Sequence, residues 1–224
     1  MKAIGKPLLG VVAVVLTASA VPAHAAIRIT EVAPWSSGNS PVAADWFELT
    51  NTGASAVNIA GWSMDDSSAT PGVAPLTGVT SIAAGQSVIF IEGNGSANST
   101  FVNTWFGGSA PPGFAIGNYV GGGVGLSTGG DGINIFDAAN VLQASVSFGA
   151  SPGGPFPTFD NAAGLDGSIT QLSVVGINGA FVAAGDVNEI GSPGAIGAVP
   201  EPETYALMLA GLGIIGAIAR NRRR

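Results

Sequence analysis

The chain has 224 residues, 46% of them hydrophobic and only 9% charged, with 35 glycines, one histidine and no cysteine. So apolar and charge-poor a composition argues against a disordered chain, and the length suits one domain plus terminal segments. Between Ala26 and Val199 one basic residue, Arg28, faces twelve acidic ones, a net charge of −11. Phosphate neutralisation by Lys and Arg supplies most non-specific nucleic-acid affinity, so nucleic acid is excluded as a partner.

Residues 1–25 carry Lys2 and Lys6, an apolar stretch over 8–16, and then Ala23-His24-Ala25. That order is the pattern of a secretory signal peptide, with Ala23 and Ala25 as the small residues at the cleavage site. The apolar stretch is too short for a membrane span. A domain is expected over residues 26–198. In an oxidising compartment it has no disulfide to form, so packing or bound cations must hold it.

Residues 27–32 read as a first strand and 33–44 as a loop with Pro34 and Pro41. Residues 46–50 alternate with the period of a strand: Phe47 and Leu49 on one face, Trp46, Glu48 and Thr50 on the other. Asn51-Thr52-Gly53 is a turn. Short runs at 57–59 and 62–64 follow, each needing a sheet around it. A strongly apolar strand is expected over 87–91, a polar loop over 93–99, and a crossing between sheets over 101–114. Two sequons in the polar loop, at Asn94 and Asn98, read as coincidence in so Asn- and Ser-rich a stretch. Residues 121–125 are glycine-rich but lack the Lys and Ser/Thr of a phosphate-binding loop; they lead into a run at 124–126. Residues 133–136 and 141–148 form a hairpin across Asp137-Ala138-Ala139-Asn140. Residues 151–157 are a Pro/Gly loop and 168–175 a late strand. About eight strands at this spacing suit a sandwich. A β-helix would need a fixed period, and the apolar runs are unevenly spaced.

Several of these stretches have a family counterpart. Trp46-Phe47-Glu48-Leu49-Thr50-Asn51, then Ile59-Ala60-Gly61-Trp62-Ser63-Met64-Asp65, are preceded by Ile29-Thr30-Glu31-Val32 and followed by Asp131-Gly132-Ile133-Asn134-Ile135-Phe136-Asp137 and Ser192-Pro193-Gly194-Ala195. In that order they resemble the lamin-tail domain, whose opening strand usually has Asn where Thr30 stands. The resemblance implies an all-β, immunoglobulin-like β-sandwich with Trp46 and Trp62 in its scaffold. The DNA binding known for lamin tails does not carry over to a domain of this charge. The expected core includes Phe47, Leu49, Ile59, Trp62, Val88, Phe90, Ile133, Ile135, Val146 and Ile169.

His24 lies in the signal segment, so residues 26–199 contain no His, Cys or Lys. That removes Ser-His-Asp and Cys-His catalysis and zinc sites built on His or Cys. Carboxylates remain. Glu31 and Glu48 fall on neighbouring strands, and a pair is what a glycosidase uses. No substrate-clamping Arg or Lys accompanies them. The plainer reading has them at the sheet surface, or accepting backbone N–H bonds to hold a loop. Asp65, Asp66, Asp131 and Asp137 offer the oxygen ligands calcium prefers. None fits an EF-hand spacing, and turn formation explains them as well. Trp35, Trp46, Trp62 and Trp105 are candidates for stacking on sugars, but such residues more often fill a core.

Val199-Pro200-Glu201-Pro202-Glu203 precedes an apolar run over 205–219 and then Arg220, Arg222, Arg223 and Arg224. As a helix the run spans roughly 22 Å at 1.5 Å per residue, short of the ~30 Å hydrocarbon core, so it is a marginal transmembrane anchor. The arginines keep the C-terminus cytoplasmic. Gly211, Gly213 and Gly216 match a dinucleotide fingerprint in spacing only, with no strand before them. The three parts in order resemble the PEP-CTERM sorting signal. That resemblance implies a Gram-negative host, recognition of the Pro-Glu-Pro segment by exosortase, removal of the tail, and an association with exopolysaccharide or biofilm matrix.

The expectation is an exported, exosortase-sorted, non-enzymatic surface or matrix protein. It comprises a signal peptide helix (1–25), a lamin-tail-like sandwich (26–198) and a sorting segment with a short transmembrane helix (199–224). Exosortase is the expected partner during sorting, with the membrane engaged transiently through 205–219, and exopolysaccharide or surface proteins as later partners. No cofactor is expected beyond calcium in the second reading, a calcium-assisted carbohydrate-binding module. The third reading is a carboxylate-dependent hydrolase.

Overall fold

Runs of β-branched and aromatic residues, cut by Gly, Asn and Ser, form short strands throughout the domain. A computed structural model describes residues 27–195 and Gly211. The signal helix expected at 1–25, the sorting motif, the apolar run (Gly211 apart) and the arginine cluster therefore lie outside the described residues. Among the described residues no helix is long and apolar enough to cross a membrane.

In chain order the elements are β1 (Ile27–Ala33), α1 (Ser36–Asn39), β2 (Trp46–Asn51), β3 (Val57–Asn58), β4 (Ser63–Asp65), β5 (Ala74–Thr77), β6 (Ser81–Ile82) and β7 (Ser87–Glu92). Then come α2 (Asn98–Phe106), β8 (Ile116–Tyr119), β9 (Asp131–Phe136), β10 (Leu142–Phe148), β11 (Phe156–Pro157), β12 (Phe159–Asp160), β13 (Gly167–Ile169), β14 (Phe181–Val182) and β15 (Glu189–Gly191). Ten strands make one sheet in the order β12-β1-β2-β7-β8-β5-β4-β9-β10-β13; β11-β15-β14 and β3-β6 are small separate sheets. The expected sheets are thus joined: β5 pairs with β8 on one edge and β4 on the other. The sheet folds over at β5, bringing β1 against β10.

The first core lies between the two halves. Ile29, Val32, Phe47, Leu49, Val88 and Phe90 from one half meet Met64, Ile133, Ile135 and Val146 from the other, with Trp62 and Ile59 at the side. Every residue expected in the core is buried. A second core covers the opposite face of β2 and β7, where Trp46, Ile89 and Ile91 pack under Trp35, Phe101, Trp105 and Ala183. This is why β2 is buried along its whole length rather than at alternate positions. All four tryptophans are buried, so none offers a face to a sugar.

Two local expectations are corrected. The stretch read as a polar loop and sheet crossing contains α2, which turns Phe101 and Trp105, four residues apart, onto Trp46. The run at 124–126, for which no strand is expected, packs Val124 and Leu126 into the first core. The late strand stops at Ile169; Leu172 makes one isolated bridge to Phe159, and Val174 and Val175 are exposed.

Candidate functional site: the acidic latch at the domain's exit

Strict alternation along β1 would place Glu31 on the same face as Ile29. A β-bulge intervenes: Ile29 pairs with Leu49, but Glu31, not Thr30, pairs with Glu48. The extra residue shifts the parity of the strand. Val32 rejoins the first core, and Thr30 and Glu31 both turn to the face that carries Glu48 and Thr50.

Glu31 and Glu48 are each only 1% exposed. The Oε1 of Glu31 accepts from the Thr158 hydroxyl at 2.5 Å and the Ser192 backbone N–H at 2.7 Å. Glu48 accepts from the Thr30 hydroxyl at 2.6 Å and, through its other oxygen, from the Gly194 N–H at 2.7 Å. The hydroxyls of Thr50 with Ser87 and of Thr158 with Ser173 extend the polar layer. Gly191 makes the approach possible, because a Cβ there would stand 2.6 Å from Glu31 Oε1. The two glutamates thus form a latch. They grip the closing Ser192-Pro193-Gly194 turn, whose next residue, Ala195, ends the described domain. Of the readings of this pair, the one in which they hold a loop by accepting backbone N–H bonds describes the geometry.

Burial pushes both acids above the ordinary carboxylate value of 4.5. Glu31 rises to about 8, with the Glu48 carboxylate adding to the effect and the Thr158 and Ser192 bonds opposing it. Glu48 rises to about 7, with its bonds from Thr30 and Gly194 opposing burial. A third acid, Glu189 in β15, is fully buried beside the second core, and burial raises it to about 7. Asp45, also buried and pushed up to about 6, accepts from the Ser37 N–H and fixes the α1 loop.

The structure splits the calcium candidates. Asp131 accepts from the Ser67 and Gly132 N–H groups, which places it near Asp65 and Asp66. Asp65 takes the Ser68 hydroxyl and the Thr70 N–H; Asp66 takes the Ser68 N–H. Asp137, at the other end of β9, accepts from the Ala139 and Val141 N–H groups of the hairpin turn. Among the described residues no group of three or more His, Cys, Asp or Glu is placed to hold a metal ion.

Sequence reasoning missed the hydroxyl layer and the buried Glu189. The layer left a trace in Thr30, Thr50 and Ser87, polar residues inside otherwise apolar strands. Asn51 shows the same logic: its side-chain amide donates to the Ser55 and Ile82 carbonyls and its oxygen accepts from the Gly53 N–H, tying the turn after β2 to β6. A shallow cleft of about 400 Å³ runs beside the exit, between residues 83–87, 111–114 and Gly194. Its lining contains no titratable side chain.

A folded-over β-sheet closed by a glutamate latch defines a class: an all-β domain whose last turn is tied back to its first two strands. The Lamin Tail Domain family matches residues 20–150, more than half of the chain, and the chain belongs to that family. The closing turn at 192–195 lies beyond the matched interval. The PEP-CTERM protein-sorting motif matches residues 198–224. That motif is the one exosortase recognises, and it marks the chain for export and membrane-associated sorting. No curated protein matches the chain.

Proposed function

We propose that the chain is a non-enzymatic protein of the cell surface or extracellular matrix of a Gram-negative bacterium, with an immunoglobulin-like sandwich of the lamin-tail type as the cargo that exosortase delivers. One observation carries this reading: the domain is latched shut at Ser192–Gly194, and the sorting motif begins four residues later at 198. Folded cargo and processing signal abut without an intervening module. The inward-facing glutamates, engaged by hydroxyls and backbone N–H groups, support a non-catalytic domain, since neither is open to a substrate.

In this reading Pro200 and Pro202 keep the motif extended, the apolar run over 205–219 holds it at a fixed depth in the bilayer, and Arg220, Arg222, Arg223 and Arg224 set its orientation. Ala23 and Ala25 mark the signal cleavage. Intact mass spectrometry of the protein from its native host tests it. The mature form should lack residues 205–224, and changing Pro200, Glu201 and Pro202 to alanine should leave a longer, membrane-retained form. A wild-type protein still ending at Arg224, in a host that encodes an exosortase, would overturn the proposal. A glycan array with and without calcium tests whether the delivered domain itself binds matrix polysaccharide.

A further inference from the structure

Three of the exposed large aliphatic side chains fall within four consecutive residues: Val174 (56% exposed), Val175 (53%) and Ile177 (49%). Apolar side chains scattered singly over a surface need no explanation; a cluster on one loop does. This loop is a bonded double turn. The Ile177 N–H donates to the Val174 carbonyl, Ala180 to Ile177, and Gly176 to Ala180. Asn178 anchors it by donating to Asp160 at 2.9 Å. The backbone is therefore held while the aliphatic side chains project outward.

The loop stands at the chain's exit. A Cβ added at Gly179 would lie 2.9 Å from that of Ala195, the last residue of the described domain. Residues 196–204, nine in number, separate Ala195 from the apolar run at 205–219. Fully extended they reach at most about 30 Å. The loop also lies in a stretch without charge: no Asp, Glu, Lys or Arg occurs from 167 to 185. The loop itself therefore sets no carboxylate against an anionic lipid surface.

We infer that the 174–177 loop is a membrane-surface contact, seating the domain on the bilayer while the tail still anchors the precursor. The inference rests on the sorting reading, because only a bilayer-held tail brings this face to the lipid. Tethering supplies the high local concentration that a contact this small needs. Seated in this way, the domain holds its exit, and the Pro-Glu-Pro segment a few residues beyond it, close to the bilayer surface.

The full-length chain contains no cysteine, so Val175→Cys takes one environment-sensitive dye. The labelled chain is reconstituted into vesicles of phosphatidylethanolamine and phosphatidylglycerol, and its flotation with them is checked first. The expected result is a blue-shifted emission that loses intensity when the lipids carry a nitroxide near the headgroup. The same dye at Val141→Cys, equally exposed on the β9–β10 turn, should keep its water-exposed spectrum. A chain that floats with identical spectra at the two positions overturns the inference and leaves the sorting reading standing. A shift that also occurs without lipid, and grows with protein concentration, assigns the patch to a second copy of the chain and overturns it too. A chain that does not float overturns both.

Discussion

Glu31 and Glu48 have lost their water and face each other, so the folded chain holds protons that the unfolded chain gives up near 4.5. A raised acid contributes stability that is fully present below the unfolded value and lost as pH climbs through the folded one. The melting temperature should therefore fall as the pH rises from about 5 to about 9, passing the steps at about 7 for Glu48 and about 8 for Glu31. Glu31→Gln keeps the acceptor for Ser192 and cannot ionise, so its melting temperature should fall less over that range. Parallel slopes for the two proteins would show that the latch does not titrate with folding. Glu189 gives a second case, because burial, with the nearby Asp186 carboxylate adding to it, raises it to about 7. Glu189→Gln should stabilise the protein above that pH and have little effect at about pH 5, as read from denaturant midpoints. Trp62 belongs to packing instead. It is 7% exposed within the first core, and Trp62→Ala should cost about 3–5 kcal/mol, the range for deleting a large buried aromatic. A loss under about 1 kcal/mol would remove Trp62 from the core.

At the scale of elements, the closing turn does more than its length suggests. Two backbone N–H bonds to buried carboxylates fasten Ser192 and Gly194 to β1 and β2, joining the end of the domain to its beginning. Gly194 has a φ of +78°, and a Cβ there would come within 2.7 Å of the Phe114 ring. Gly194→Ala therefore sets backbone strain against a ring that must move, and should cost more than about 1 kcal/mol. Limited proteolysis should then cut sooner around residues 190–199 than in the wild type. Unchanged cleavage would mean that the turn opens independently of the latch. Helix α2 plays the matching part on the second core: Trp105 packs edge-on against Trp46 at 5.5 Å and against Phe181 at 5.9 Å, linking β2 to the small sheet that carries Glu189.

For the molecule as a whole, charge decides against one partner class. The domain over 26–198 carries −11 with Arg28 as its one cation, and that arginine is already paired with Asp166 at 2.8 Å. The purified protein should leave a DNA fragment unshifted in a gel at physiological salt. Salt-sensitive retention would contradict the charge argument.

The all-β class, the ten core positions and the terminal sorting segment were legible in the residues themselves. Alternation, turn chemistry and motif order are local properties, and Phe47, Leu49, Ile133 and Ile135 needed no partner to declare their face. The pairing of Glu31 with Glu48 on one face was not legible, because it depends on a one-residue bulge that inverts the parity of β1 beyond Ile29. Nor was the grip on Ser192 and Gly194, which joins residues more than 140 positions apart. Helix α2 was hidden by Asn, Ser and Thr at its start, weak helix formers whose conformation is settled by packing against the second face of β2. The residue pattern determined which side chains seek shelter. Only the folded-over sheet, with a second layer laid across its outer face, decided that two glutamates would share that shelter, and that the chain would leave the domain beside them.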